Sequence, residues 1–306
     1  MAHLLEQLTA IVAVLAACFV GPGLALGFLL WRKRKQRAEK RSPITKDLLR
    51  SPGHSLREQI DELTSDVGIE VMALAIFPLL VLALYLAQGR AMKELPLLPA
   101  IYLVAVLGFI GFRIRKLLRL GHRLDHLRAG YDAELAVGQE LDQLMRQGAR
   151  VFHDFPGENF NIDHVVIAPS GFFAVETKGY TKSKRLVGRP GATVYFDGTT
   201  LKFPTWSGTE PLEQAERQAR WLSKWSTAAI GEPVTATAVV ALPGWFVERT
   251  KRGTVKVISG GEVPTLLTSS NTGGLSAQMV QRLAHQIEQR CRTVVPSYGR
   301  EEREIQ

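Results

Sequence analysis

Cysteine is almost missing from this chain. Cys18, inside an apolar run, and Cys291, near the C-terminal end, are the only two among 306 residues. Two isolated cysteines exclude a disulfide scaffold and a zinc-ligand cluster, and they suit a reducing compartment. Acidic residues are also scarce: 29 Asp and Glu stand against 38 Lys and Arg, a formal charge of +9. That balance favours polyanionic partners, although charge by itself does not identify nucleic acid. No internal repeat is present, which excludes a repeat array. The first apolar run lacks the positive charge in front of it that a cleaved signal peptide carries. His3 and Glu6 precede that run and WRKRKQRAEKR follows it, as in an uncleaved anchor with its N-terminus outside and its basic end in the cytoplasm.

Apolar residues, by contrast, are abundant at 46%, and much of this content falls in three runs long enough to cross a bilayer. They are Leu8–Trp31, with Gly21-Pro22-Gly23 as a kink, Ile69–Gln88 and Leu95–Phe112. The short connector GRAMKE makes the second and third a helical hairpin, with Glu70 at the membrane interface. The basic flanks WRKRKQRAEKR and RIRKLLRLGHRLDHLR fall on one side of a three-span arrangement, as the positive-inside rule asks. Between the first two spans, Ser55 and Glu58 offer a capping-box pattern for a short helix. The expected organisation is a span over 1–31, a basic linker over 32–68, a hairpin over 69–112, a basic juxtamembrane segment over 113–127, a folded domain over 128–292 and a polar tail over 293–306. The expected setting is a bacterial-type inner membrane crossed several times, with the lipid bilayer as a partner and everything from Arg113 onward cytoplasmic.

The folded region reads as a mixed α/β domain. A helix over Gly130–Gln147 offers Leu135, Val137, Leu141 and Leu144 to a core, and Gly148 stops it. A short strand, Arg150–Phe155, follows. ATVYFDGTTLKF is a hairpin whose Asp197-Gly198 favours a tight primed turn. Glu210–Ile230 is an amphipathic helix with Pro211 in its first turn. Pro233–Leu242 and Thr254–Ile258 are strands, Leu275–Arg292 is a closing helix and GREEREIQ a disordered tail.

Asn161–Gly179, NIDHVVIAPSGFFAVETKG, organises this domain. Val165–Ile167 and Phe172–Val175 suit buried strands, and Pro169-Ser170-Gly171 is turn chemistry. With Pro169 and Ser170 at the turn, Ala168 lies opposite Gly171, and the same register sets Asp163 opposite Glu176, about 5 Å apart at Cβ. Lys178 shares their face because strand side chains alternate, while His164 points to the other face as a structural residue. Two carboxylates and a lysine on one face are the parts of a metal-dependent phosphodiesterase. His153 and Asp154 precede them. The loop bearing Lys182, Lys184, Arg185 and Arg189 is a candidate phosphate-contact surface. Trp206, Trp221 and Trp225 are candidates for base stacking, although Trp221 and Trp225, four apart on a helix, fit a core as well.

The order of these residues resembles the NERD (nuclease-related) domain of the PD-(D/E)XK nuclease-like superfamily. The resemblance rests on GYDAE at 130–134 with Val137, Gly138 and Leu141; on IDHVV at 162–166; on Pro169-Ser170-Gly171 with Val175-Glu176-Thr177-Lys178; and on Pro211-Leu212-Glu213-Gln214 with Arg217, Gln218 and Arg220. Ala133 stands where the family pattern has glycine. The resemblance implies a restriction-endonuclease-like mixed sheet flanked by helices, here preceded by a three-helix transmembrane region. It implies Asp163, Glu176 and Glu134 as ligands of Mg²⁺ or Mn²⁺, Lys178 and Gln214 as their catalytic companions, and hydrolysis of nucleic-acid phosphodiesters, DNA being the expected polymer. Glu140 is a rival to Glu134 on the same helix. A homo-oligomer is compatible with these features. The alternatives are a membrane-tethered module that binds nucleic acid or protein without cutting, and a membrane assembly protein in which the hairpin is structural.

Overall fold

The computed structural model describes residues 23–35, 43–87, 97–268 and 274–296. It divides into two compact units. The first takes in the described residues of Met1–Thr45, Glu62–Leu124 and Pro296–Gln306; the second is Lys46–Asp61 with Asp125–Val295.

In the first unit, residues 23–35 are helical; the rest of the Leu8–Trp31 run, the GRAMKE connector and the polar tail beyond residue 296 lie outside the described residues. Helices α1 (His54–Ala87) and α2 (Leu98–Gln143) are both long and apolar enough to cross a membrane by length and composition. They lie antiparallel within this unit: Glu70 is bound by Arg113 at 2.5 Å and Lys116 at 2.6 Å, Phe77 stacks on Phe109, and Tyr85 meets Tyr102 edge-on. Glu70 is thus buried under two cations. Elsewhere the apolar side chains of these helices, such as Met72, Leu79, Ile101 and Val104, face outward, as lipid-facing residues do.

Several expected boundaries fall inside helices. The chain does not break near residue 68, 112 or 127: polarity changes there, but the helices continue through Gly68 and Gly111 because their flanks favour helix. LREQIDELTSDV and RIRKLLRLGHRLDHLR are built largely from good helix formers, so α1 passes from a charged to an apolar stretch, and α2 from an apolar to a charged one, unbroken. Nor does Ser55 cap a helix: α1 begins at His54, and the Ser55 hydroxyl donates to Asp154 at 2.7 Å.

The second unit is built on a five-stranded sheet in the order β10-β8-β4-β3-β2. Strands β2 (Arg150–Pro156), β3 (Asn161–Ala168) and β4 (Gly171–Thr177) form an antiparallel meander. Strands β8 (Thr237–Leu242) and β10 (Lys256–Ser259) extend it in parallel. On one face, Val165, Ile167, Phe172, Ala174 and Val240 pack against α3 (Glu210–Ile230) and α5 (Ala277–Cys291), α4 being the single turn Thr265–Thr268 between them. On the other face, Val166, Phe173, Val175 and Val239 meet Val137 and Leu141 from the end of α2 and Leu144 from the turn that follows it. The result is a mixed α/β unit with helices on both faces of the sheet. Leu135, expected in the core, is half-exposed.

A second sheet, β7-β6-β5-β9, gathers β5 (Thr193–Phe196), β6 (Leu201–Lys202), β7 (Ser207–Gly208) and β9 (Phe246–Arg249). The β5–β6 connection is a four-residue loop, not the expected two-residue primed turn. Phe196 pairs with Leu201, and Asp197 Oδ1 accepts from the N–H groups of Thr199 and Thr200. An Asp side chain that closes its own loop competes with the tighter turn. Last, β1 (Leu48–Leu49), inside the expected linker, pairs with β11 (Arg292–Val294), which follows α5.

Candidate active site

The β3–β4 hairpin turns at Pro169-Ser170, and its pairs run from Ala168–Gly171 to His164–Val175. One step further the same register sets Asp163 across from Glu176. Here backbone pairing gives way to a side chain: Asp163 Oδ2 accepts the Thr177 N–H at 2.6 Å. Strand β4 meanwhile continues along β8, with Glu176 beside Val240 and the Lys178 N–H on the Ala241 carbonyl at 3.0 Å. The hairpin therefore delivers Asp163, Glu176 and Lys178 to the α3 face of the sheet, at the end where β3 and β4 part company.

Helix α3 supplies two glutamines four residues apart, one turn of the same face. Gln218 Nε2 donates to Glu176 Oε2 at 2.7 Å and to the Asn161 carbonyl at 3.0 Å. Gln214 Oε1 accepts from Lys178 Nζ at 2.8 Å. Lys178 Nζ also pairs with Glu176 Oε1 at 2.9 Å, so both oxygens of Glu176 are engaged. Glu134 comes from α2, which packs on the opposite face; it is 8% exposed, whereas Glu140 is exposed. The identity of Gln218 was visible in the sequence, but not its role; its spacing from Gln214 was the available signal. Gln218→Leu is expected to cost about 1–3 kcal/mol, because it strips a donor from a buried carboxylate. A denaturant titration of the variant against the parent chain checks this.

The electrostatics are those of crowded acids. Burial, followed by the charges of Asp154 and Glu176, pushes the Glu134 carboxyl up to about 8. Burial, followed by Glu176 and Glu134, holds Asp163 well above the usual carboxylate range. Burial also raises Glu176, against the opposing pull of Lys178 and Gln218. Burial alone would lower Lys178, but the Glu176 carboxylate outweighs it and the ammonium is held above its ordinary value. Neighbouring like charges in a buried setting disfavour one another's ionisation, and Lys178 offsets only part of this.

Around this group lie further buried polar residues. Asp154 takes a left-handed backbone conformation, φ 49°, and its carboxylate is bound by Arg50, Ser55 and Asn161. His164 lies on the α2 face, with Nδ1 2.9 Å from His153 Nδ1, while His153 Nε2 reaches Asp142 at 3.0 Å. Burial and then His153 hold His164 well below its usual value, which suits a neutral structural ring. Trp221 and Trp225 pack against Phe155 and the core under the Arg290 guanidinium, so they are not free for stacking. Trp206 is 40% exposed and stacks on Phe203. Lys182, Lys184, Arg185 and Arg189 are all exposed; Lys182 leans over Trp245 and Arg189 over Phe246.

Residues 129–243 match the family model of the nuclease-related domain, NERD. The match runs from the α2 turn that carries Glu134 to the end of β8, and so contains the hairpin, the basic loop and both glutamines. It leaves α1, the apolar part of α2, and α5 outside. No curated protein and no solved structure matches the chain significantly.

The donors of the matched segment bear on whether it suits a divalent cation. Among the described residues no set of three His, Cys, Asp or Glu is already arranged to hold a metal ion. The donor chemistry nevertheless fits a hard cation, since Glu134, Asp163 and Glu176 are all oxygen ligands whose mutual repulsion a cation would relieve. Next to Glu176, the buried Oε1 of Gln218 has no hydrogen-bond partner, leaving one more oxygen acceptor at the site. Lys178 neutralises Glu176 in this arrangement.

Proposed function

We propose that this chain is a membrane-anchored, divalent-cation-dependent nuclease that hydrolyses nucleic-acid phosphodiesters, with DNA the expected substrate. The observation that supports the reading is the placing of Asp163, Glu176 and Lys178 on the α3 face of the hairpin within the segment matched by NERD; burial raises both acids and Glu134, and neighbouring acids raise Glu134 and Asp163 further. Glu134, Asp163 and Glu176 would hold Mg²⁺ or Mn²⁺, which would offset phosphate charge and make a bound water a better nucleophile. Lys178, released from Glu176, stabilises charge developing on the phosphoryl oxygens. Gln214 orients the ammonium, and Gln218 fixes the Glu176 carboxylate. Lys182, Lys184, Arg185 and Arg189 contact backbone phosphates, a salt-sensitive role that carries no sequence preference.

The two long apolar helices support anchoring, and the basic residues that follow the apolar part of α2 support a cytoplasmic domain. In this reading the Leu8–Trp31 run is a third span with its N-terminus outside. A second reading, binding of nucleic acid or protein without cutting, draws on the Lys178–Glu176 ion pair, which neutralises a proposed ligand.

The deciding experiment incubates the full chain in detergent with linear and circular DNA in Mg²⁺, Mn²⁺ or EDTA. Cleavage that requires the cation is expected. Binding without cleavage would move the assignment to the second reading, and neither binding nor cleavage would sink the nuclease reading and leave the second only its protein-binding form.

A further inference from the structure

The segment Lys46–Asp61 lies far upstream of the NERD match, yet it belongs to the same compact unit. Three sets of contacts build it in. Strand β1 pairs with β11, and the Arg50 N–H continues that pairing onto the Cys291 carbonyl at 3.1 Å. Arg50 then spreads its guanidinium between Thr293 Oγ1 at 2.9 Å and Asp154 Oδ2 at 2.8 Å, and Ser55 donates to the same Asp154 oxygen. The Pro52-Gly53 turn that follows lies on α2. A Cβ on Gly138 would come within 2.6 Å of the Pro52 ring, and one on Gly53 within 2.7 Å of the Tyr131 ring and 3.7 Å of Glu134 Oε2. Gly53, at φ +66°, thus lies beside the Glu134 carboxylate, where its backbone N–H opposes the rise in the Glu134 pKa.

We infer that Lys46–Asp61 is a positioning clamp for the carboxylate site, with Arg50 acting through Asp154 and the Gly53 N–H holding Glu134. The inference rests on the cation-binding reading given above. Asp154 lies opposite Asp163 across the β2–β3 pair, between His153–His164 and Phe155–Ile162. Its carboxylate is 3% exposed and has Arg50 as its ion-pair partner. With Arg50 removed, an uncompensated buried charge stands beside the proposed ligands and the left-handed turn of β2 loses its tether. Groups that orient metal ligands from behind typically alter affinity about 10–100-fold. Because α1 starts within this segment, the clamp makes the site depend on chain that leads into a candidate membrane helix.

The test measures Mn²⁺ binding to the full chain in detergent, by titration calorimetry and by the spin-resonance signal of free Mn²⁺, without any cleavage assay. Arg50→Ala is expected to weaken Mn²⁺ binding roughly tenfold or more. Arg50→Lys should restore part of it, since a point charge replaces the planar fork. Adding Asp154→Asn to Arg50→Ala should cost less than the two separate effects combined, because both act through one contact. If Arg50→Ala does not fold, Arg50→Lys and Asp154→Asn carry the comparison. Parent-like Mn²⁺ affinity in Arg50→Ala, or a lowered melting temperature with unchanged affinity, would overturn the clamp while leaving the cation reading intact. No Mn²⁺ binding by the parent chain would overturn that reading and the clamp with it.

Discussion

Asp163→Asn is expected to lower cation-dependent cleavage about a thousandfold while leaving the fold in place, and Lys178→Ala to lower it at least a hundredfold. Asn preserves the shape of the side chain and can still accept the Thr177 N–H that closes the hairpin. What it removes is one of the negative charges that crowd the site, so the cation-free variant should melt at the same temperature as the parent or higher. Lys178→Ala differs in kind. It takes away the partner of a Glu176 side chain that is only 4% exposed, and breaking a buried pair from one side costs about 3–5 kcal/mol. Activity and stability should therefore separate in Asp163→Asn and fall together in Lys178→Ala. Cleavage at parent rates by Asp163→Asn, in purified full chain with Mg²⁺ and with Mn²⁺, would rule out the assigned role of this carboxylate.

The second large effect is one of pH. Without a divalent cation, the chain is expected to become more stable as the pH falls from about 9 to about 5. The Glu134 carboxyl rises from an ordinary 4.5 to about 8 in the folded chain, and Asp163 and Glu176 are raised too. A folded state that holds these protons more tightly than the unfolded one has their full contribution below the unfolded value, and loses it as the pH climbs through the folded one. The loss is on the order of a few kcal/mol, or about 5–10 °C of melting temperature for a unit of this size. Mg²⁺ or Mn²⁺ should act in the opposite sense, stabilising most at the alkaline end, where the carboxylates are ionised and repel one another. Glu134→Gln should flatten the profile. A cation-free melting temperature that is flat across this range in the parent chain would contradict the raised acids.

Much of the hairpin is legible in the sequence. Pro169-Ser170-Gly171 sets the turn, alternation assigns Asp163 and Glu176 to one face and His164 to the other, and together they give the register that the strands adopt from Ala168–Gly171 to His164–Val175. These are short-range properties of the chain, as are the bounds of Glu210–Ile230 and the stop at Gly148, whose N–H caps the carbonyls of Leu144 and Met145. Glu134 came only from resemblance, because no periodicity ties one acid of a helix to a strand edge on the far side of a sheet.

Tertiary structure decided the rest. Gln218 meets Glu176 because α3 lies across β4, which the helical pattern by itself does not specify. The expected linker became part of the domain through contacts such as Arg50 with Asp154, 104 residues away, and with Thr293, 243 residues away. Two-residue strands such as β1 have too short a pattern to be recognised, and their pairing depends on where a distant strand ends. By itself the sequence determined the two carboxylates and the lysine on one face of a β-hairpin, because turn chemistry and side-chain alternation act over a few residues. Only the tertiary structure decided which groups surround them, because those groups are brought in by packing between segments that no local period connects.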